Sequence, residues 1–259
     1  MIVFHTDLDN TLIYSYKHDI GKEKRCVEIY QGREISFVTR ETYRLLQRIS
    51  EQKSQILIVP TTTRTIEQYQ RIDLGIGTLR YALVCNGGVL LVNGKEDDSW
   101  YRDSLERIRG SKEQLDKAQE FLDKETRRIF ELRFIKELFV FTKCEEPEAV
   151  IRELREHLDA DLVDVFNNGV KVYVVPKALD KGKAVMRFRS YLGADHVIAA
   201  GDSEFDISML EAADRGIAAP KLAQSYPFSG KIECPYEGKL FAESVLENVY
   251  KYCLGTIQK

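Results

Sequence analysis

Two aspartates that directly follow the first apolar segment place the strongest constraint on this chain. Residues 2–6 (IVFHT) have the composition of a short buried strand, and Asp7-Leu8-Asp9 comes immediately after them. Side chains two positions apart on extended backbone point to the same side, so the two carboxylates lie close together. A divalent cation, a shared proton or a bound electrophile would relieve their repulsion. The sequence therefore favours an enzyme with its site at the end of this strand.

Composition excludes several other classes of protein. The chain has 259 residues, 38 basic and 41 acidic, so it lacks the basic footprint that a nucleic-acid partner usually requires. No apolar run approaches the roughly 20 residues that span a bilayer, and the N-terminus does not resemble a signal peptide. The five cysteines show no CxxC spacing, which is typical of reduced thiols. We expect a cytoplasmic protein without a membrane segment, either a monomer or a weak homo-oligomer.

Short apolar strands alternate with helical patterns at both ends of the chain. Residues 55–60 (QILIVP), 81–85 (YALVC) and 196–200 (HVIAA) are strand-like. Between the first two acids and residue 55, Thr39 is a good N-cap for a helix over residues 39–53. This order predicts an α/β protein with a Rossmann-like core, in which helices cover both faces of a parallel sheet.

The middle of the chain has a different order of elements. Residues 111–128 predict a long charged helix, residues 134–142 a strand, residues 147–158 a second helix, and residues 162–175 a hairpin. This is the order of an α+β domain. We therefore expect an inserted α+β domain over residues 89–178, with residues 1–88 and 179–259 forming the core.

Four polar clusters lie at predicted strand ends or helix starts. They are Asp7 with Asp9, Thr61-Thr62-Thr63 with Arg64, Lys181-Gly182-Lys183, and Gly201-Asp202 with Asp206. Taken singly, each has a structural explanation, because threonine runs cap helices and Gly-Asp pairs form turns. The carboxyl ends of parallel strands meet at one edge of a sheet, so the four clusters together predict a single crevice.

The residue types in these clusters favour phosphate chemistry. Several carboxylates suit Mg²⁺, which takes oxygen ligands. A lysine and hydroxyl groups suit an anion with several oxygens, and an aspartate can attack phosphorus to form an aspartyl-phosphate. A neighbouring acid can protonate the leaving oxygen and later deprotonate water. The sequence contains no P-loop, no GxGxxG fingerprint and no Ser-His-Asp arrangement.

With these clusters the chain resembles the haloacid dehalogenase superfamily phosphatases of the branch with a large α/β cap, which includes phosphatases of sucrose phosphate and mannosyl-phosphoglycerate. The resemblance implies that Asp7 is the nucleophile and Asp9 the acid/base. It implies phosphate contacts from Thr62, Thr63, Arg64, Asn86 and Lys181, and magnesium ligands from Asp7, Asp9 (through its backbone carbonyl), Asp202 and Asp206. Thr61 remains an alternative to Thr62 and Thr63, and Lys183 to Lys181. Phe205 stands where this branch usually has asparagine.

The predicted function is a Mg²⁺-dependent phosphohydrolase that acts on a small phosphorylated metabolite, a sugar phosphate, through an aspartyl-phosphate. The inserted domain would close over the site and select the substrate. Two alternatives stay open: a phosphosugar mutase on the same fold, and a regulator that binds a phosphorylated metabolite without turnover. A metal-dependent glycosyltransferase is more distant, because Lys181 and the fourth cluster would have no role in it.

Overall fold

The fold of the chain was obtained as a computed structural model that describes residues 1–52, 55–228, 231–235 and 238–255. Its strands are β1 (Ile2–Thr6), β2 (Tyr14–Ser15), β3 (Lys24–Tyr30), β4 (Arg33–Thr39), β5 (Ile56–Pro60), β6 (Tyr81–Val84), β7 (Val89–Val92), β8 (Lys95–Glu96), β9 (Arg133–Ile135), β10 (Phe139–Lys143), β11 (Val163–Asn168), β12 (Lys171–Pro176), β13 (His196–Gly201), β14 (Arg215–Ala218) and β15 (Ile232–Glu233). Its α-helices are α1 (Arg40–Glu51), α2 (Ile66–Gln70), α3 (Asp98–Arg107), α4 (Lys112–Asp123), α5 (Pro147–His157), α6 (Lys181–Leu192), α7 (Ile207–Ala212), α8 (Pro220–Ser225) and α9 (Phe241–Cys253).

The contacts divide the chain into two compact units. The first unit comprises residues 1–96 and 181–259, and the second comprises residues 97–180. The sequence placed the corresponding boundaries at residues 88/89 and 178/179. No helix in the described ranges combines the length and the apolar character that a membrane span requires.

A parallel sheet forms the centre of the first unit, with strand order β15-β14-β13-β1-β5. Alternate residues of β13 enter different cores. Ile198 and Ala200 pack with residues of α1 and α9, whereas Val197 and Ala199 pack with residues of α6 and α7. This is the alternation that a strand buried on both faces requires. The predicted α/β class, with helices on both faces of a parallel sheet, is confirmed.

The strand predicted at residues 81–85 was expected to extend the parallel sheet. This expectation is wrong, because most of its pairing is antiparallel. Strand β6 pairs antiparallel with β7, from Tyr81 opposite Val92 to Val84 opposite Val89. Only one parallel bridge, between Thr61 and Leu83, links it to the end of β5 among the described residues. A tight turn with positive φ at Cys85, Asn86 and Gly87 reverses the chain, and such turns favour a hairpin.

The second unit is an antiparallel sheet, β11-β12-β10-β9, with α3, α4 and α5. Leu115 and Leu122 of α4 and Leu154 of α5 pack on Val140 and Val172 of the sheet. Apolar positions at helical spacing on α4 and α5 thus meet one face of alternating strand residues.

Two predictions for the second unit need correction. The strand expected over residues 134–142 is a hairpin of β9 and β10, because Lys136 and Glu137 both have positive φ and form a tight turn without glycine. The helix expected over residues 111–128 ends at Asp123. Beyond it, the Arg127 backbone N–H donates to the Glu125 side chain at 2.8 Å, a local bond that competes with helical continuation.

Candidate active site

Three neighbouring strands of the first unit end at the same level. Thr6 in β1 lies opposite Ala200 in β13 and Pro60 in β5. The Asp7 N–H donates to the Ala200 carbonyl at 2.9 Å, and the Thr61 N–H donates to the Thr6 carbonyl at 2.8 Å. The register therefore brings the first, second and fourth polar clusters to one edge of the sheet, where α/β proteins bind ligands.

Lys181, at the start of α6, joins the first and fourth clusters. Its Nζ lies 2.7 Å from Asp7 Oδ1 and 2.6 Å from Asp206 Oδ1, and its side chain is 1% exposed. Burial acts to lower the pKa of Lys181, but the charges of Asp206 and Asp7 outweigh burial and raise it above its usual value. The ammonium is therefore a fixed positive charge. Lys183, the alternative lysine, lies at the surface.

The turn after β13 holds Asp206 in place. Asp206 Oδ2 accepts from the backbone N–H groups of Asp202 and Ser203 and from the Ser203 hydroxyl, each at 3.0 Å. Gly201 makes this possible, because a Cβ at that position would lie 2.2 Å from Asp206 Cβ. The glycine thus allows the turn to pack directly on the buried carboxylate.

Asp7, Asp202 and Asp206 can present one carboxylate oxygen each within 4.8 Å of one another. Burial, followed by the charge of Asp206, raises the pKa of Asp202 to about 7. Burial raises the pKa of Asp7 well above its usual range, with Asp206 and Asp202 adding to the effect and Lys181 opposing it. Three carboxylates thus share a single buried ammonium. The oxygen donors and the excess negative charge fit a hard divalent cation such as Mg²⁺.

Asp9 makes a different set of contacts from Asp7. Its two carboxylate oxygens accept from Arg64 Nε and Nη2, each at 2.7 Å, in a bidentate pair. Arg64 also lies 2.9 Å from Glu28 Oε2. The Asp9 side chain is half exposed, whereas the Glu28 side chain is fully buried. The predicted acid/base and the predicted phosphate-binding arginine are therefore in contact with each other.

The threonine run and Asn86 are connected through the backbone. The Asn86 N–H donates to the Thr62 carbonyl at 3.0 Å, and the Thr62 N–H donates to the Leu83 carbonyl at 2.9 Å. Thr62 is fully buried, and its hydroxyl accepts from the Arg64 N–H at 3.2 Å. The Thr61 hydroxyl lies instead 2.9 Å from His5 Nδ1 and donates to the Val59 carbonyl. These bonds use the Thr61 hydroxyl, so Thr62 and Thr63 remain the candidates for a phosphate-binding hydroxyl.

Sequence reasoning missed several residues that support the site. The Thr11 hydroxyl donates to Asp202 Oδ1 at 3.2 Å, and Ser203 holds Asp206. Ser203 lies within the fourth polar cluster and Thr11 lies two residues after the first, so their positions were a usable signal. Glu28 lies in a hairpin strand, 19 residues beyond Asp9. Its contact with Arg64 could not be predicted from the spacing of residues in the sequence.

Known proteins share this architecture. A sequence profile of haloacid dehalogenase-like hydrolases matches residues 94–221. Over these residues, just under half of its length, the chain is similar to the haloacid dehalogenase-like hydrolases. The predicted superfamily and the predicted hydrolase class are confirmed by this match. The matched segment contains Lys181, Asp202 and Asp206 and begins after the clusters of Asp7 and Thr62.

Solved structures resemble the chain over nearly its whole length. The sucrose-phosphatase of Synechocystis sp. PCC6803, solved with sucrose and phosphate, has a TM-score of 0.68 at 18% identity, with 97% of each chain covered. A haloacid dehalogenase-like hydrolase from B. subtilis has a TM-score of 0.59 at 16% identity, covering 97% of this chain and 99% of its own. The phosphatase BT1666 from Bacteroides thetaiotaomicron has a TM-score of 0.56 at 14% identity, covering 99% of this chain and 96% of its own. At these identities the likeness concerns the fold. The search of curated protein sequences gave no match.

Proposed function

We propose that this hydrolase is a Mg²⁺-dependent phosphatase that removes phosphate from a small sugar phosphate through an aspartyl-phosphate on Asp7. One observation carries the proposal. The Lys181 ammonium lies between Asp7 and Asp206 at the carboxyl edge of the parallel sheet, with Asp202 in the same group of carboxylates. A fixed cation beside a nucleophile and a divalent-cation site is an arrangement that stabilises the charge of a transferring phosphoryl group.

In the first half of the proposed reaction, an Asp7 oxygen attacks phosphorus and the bond to the sugar oxygen breaks. Lys181 holds Asp7 through Oδ1 at 2.7 Å and offers positive charge to the phosphoryl oxygens. Thr62, Thr63 and Asn86 are the proposed polar contacts of the phosphate, since backbone bonds hold Asn86 and Thr62 together next to the end of β5. Arg64 contributes through Asp9, with which it forms two hydrogen bonds.

Asp9 is the proposed acid and base. It donates a proton to the sugar oxygen as the ester bond breaks, and the sugar leaves as an alcohol. In the second half it removes a proton from a water whose oxygen attacks phosphorus, which releases inorganic phosphate and restores Asp7. The half-exposed position of the Asp9 side chain is compatible with access to both the substrate and water.

Asp7, Asp202 and Asp206, with the backbone carbonyl of Asp9, are the proposed holders of Mg²⁺. When bound, the cation would neutralise charge on the phosphoryl group and on the carboxylates. The raised pKa values of Asp7 and Asp202, which burial causes first, support this assignment because the cluster needs further positive charge.

A separate observation supports the class of substrate. The similar fold of a sucrose-phosphatase favours a phosphorylated sugar. We assign substrate selection to side chains of the second unit, residues 97–180, other than the mutually paired Glu125, Arg127 and Glu153. We also assign a cytoplasmic location to the protein. The sequence predicted the same location, and it predicted substrate selection by an inserted domain over residues 89–178.

The direct test is phosphate release from p-nitrophenyl phosphate and a panel of sugar phosphates, with Mg²⁺ or with EDTA, for the wild type and Asp7→Asn. We expect release that requires Mg²⁺ and is lost in Asp7→Asn. Isomerisation of a sugar phosphate without phosphate release would favour the mutase. Metal-dependent binding of a sugar phosphate with neither reaction would favour the regulator, and both outcomes would overturn the proposal.

A further inference from the structure

Arg64 divides its donors between two carboxylates. Nε and Nη2 donate to Asp9 at 2.7 Å each, while Nη1 lies 2.9 Å from Glu28 Oε2 and donates to the Gln68 carbonyl at 3.3 Å. A guanidinium is planar and rigid, so bonds on Nη1 also fix the direction in which Nε and Nη2 point. Glu28 therefore acts on the orientation of Asp9 through one intervening side chain.

Glu28 is itself held from three sides. Its side chain has no exposed surface. Arg71 Nε donates to Glu28 Oε1 at 3.1 Å, and Arg71 Nη2 lies 3.0 Å from the same oxygen. The Ser36 hydroxyl donates to Glu28 Oε2 at 2.7 Å. The charges alternate along the series Asp9, Arg64, Glu28, Arg71, so the buried carboxylate lies between two cations. A buried charge with this many partners is held in one position.

A β-bulge brings Glu28 to this position. Val27 and Glu28 are neighbours on β3, and both are buried. The register between β3 and β4 shifts on each side of Glu28, and Glu28 forms an isolated bridge with Ile72. The Asp73 N–H also donates to the Val27 carbonyl at 2.8 Å. Bulges commonly redirect a side chain next to an active site.

We propose that Glu28 is a positioning residue that acts through Arg64 to hold the Asp9 carboxyl group where it can protonate the leaving oxygen. The proposal rests on the function proposed above, because the orientation of Asp9 matters only if Asp9 transfers that proton. A sugar alkoxide is a poor leaving group and needs the proton, whereas p-nitrophenolate leaves readily without it. Loss of Glu28 therefore affects sugar phosphates more than p-nitrophenyl phosphate.

The test compares the rate of phosphoryl transfer to Asp7 in single turnovers of a sugar phosphate and of p-nitrophenyl phosphate, using Glu28→Gln. Glutamine keeps the shape of the side chain and removes its charge. We expect a loss on the order of 10- to 100-fold with the sugar phosphate, as a misplaced general acid would give, and KM should change little. With p-nitrophenyl phosphate the rate should stay within about threefold, because proton transfer contributes little there.

Glu125→Gln is the matched control. Glu125 is also nearly buried, with 6% of its side chain exposed, and it pairs with Arg127 at 2.6 Å in the second unit. We expect it to leave the ratio of the two rates unchanged. Should Glu28→Gln not fold, Ser36→Ala removes a single hydrogen bond from the same carboxylate and should shift the ratio in the same direction by less.

The variant Asp9→Asn tests whether Glu28 acts through Asp9. If Glu28 acts through Asp9, adding Glu28→Gln to Asp9→Asn should cause no further loss with the sugar phosphate. Equal losses with both substrates, or additive losses in the double variant, would overturn this inference while leaving the phosphatase function intact. A wild type that releases phosphate from neither substrate would overturn the proposed function and this inference with it.

Discussion

Each unit of the molecule contains a cation that lies between two carboxylates. In the first unit Lys181 lies 2.7 Å from Asp7 and 2.6 Å from Asp206, all three nearly or fully buried. In the second unit Arg127 Nη2 lies 2.6 Å from Glu125 and 2.7 Å from Glu153. We refer to these as the Lys181 cluster (Lys181, Asp7, Asp202 and Asp206) and the Arg127 cluster (Arg127, Glu125 and Glu153). Distances alone do not distinguish them.

The two clusters differ in the direction in which the pKa values of their carboxylates are shifted. Hydrogen bonds from Arg127 lower the pKa values of Glu125 and Glu153, as expected for carboxylates that are satisfied by their partner. In the Lys181 cluster, burial raises the pKa of Asp7 and brings that of Asp202 to about 7. The Arg127 cluster is therefore a completed structural interaction, whereas the Lys181 cluster keeps excess negative charge that the proposed Mg²⁺ would neutralise. Displaced pKa values of this kind are typical of functional sites.

The largest difference between the clusters should appear in activity. Asp7→Asn should lower the rate of phosphate release on the order of 10³-fold or more, because it removes the nucleophile. Glu125→Gln should leave that rate unchanged. Thermal unfolding serves as the control, since Asp7→Asn removes one of three converging buried carboxylates and should not destabilise the protein. Comparable activity in the two variants would remove the functional distinction between the clusters.

Removal of the central cation should affect stability unequally. Lys181→Met leaves Asp7 and Asp206 buried without their partner, which should lower the free energy of unfolding by about 3–5 kcal/mol. Arg127→Met should cost less, about 1 kcal/mol, because Glu153 is 42% exposed and the nearly buried Glu125 keeps its hydrogen bond from the backbone N–H of residue 127. Urea unfolding midpoints give both values. Equal costs would show that burial does not separate the two clusters.

Mg²⁺ should stabilise the protein through the Lys181 cluster alone. At a concentration about 100 times Kd, binding to the folded state adds about 2.7 kcal/mol to the free energy of unfolding. We expect the rise in Tm to disappear in Asp202→Asn and to persist in Glu153→Gln. A rise in Tm that survives Asp202→Asn would place the cation elsewhere.

The smallest effect concerns the backbone that supports each unit. Gly201→Ala introduces a Cβ within 2.2 Å of Asp206 Cβ and should cost about 1–3 kcal/mol of stability through overpacking. Gly110→Ala, in the second unit, meets no atom within 4 Å and should change stability by no more than about 1 kcal/mol. Chemical unfolding of the two variants checks the difference, and a neutral Gly201→Ala would mean that the turn can move away from Asp206.

The central sheet and the Lys181 cluster could be predicted because they depend on local signals. Runs of apolar residues mark β1, β5 and β13, and the parallel topology brings Asp7 and Asp202 to the same edge. Thr39 was predicted as an N-cap and accepts from the Thr42 N–H at 3.0 Å, as its residue type suggests.

The remaining features depend on tertiary context. The turn at Lys136 and Glu137 has the conformation that asparagine and glycine favour, so its residue types gave no signal. The antiparallel pairing of β6 could not be distinguished from a parallel one, because a short apolar strand is compatible with both. The contact between Glu28 and Arg64 depends on a bulge that shifts the strand register, and sequence spacing does not encode such a contact.

In the proposed mechanism, Asp7 carries the phosphoryl group during turnover. The most direct measurement mixes excess substrate with the Mg²⁺-loaded wild type, quenches in acid within milliseconds to seconds, and locates any phosphoryl group on peptides by mass spectrometry. We predict a phosphoryl group on the peptide that contains Asp7, and none in Asp7→Asn. Steady phosphate release by the wild type with no phosphoryl group on Asp7 at any time, together with an active Asp7→Asn, would contradict the claim.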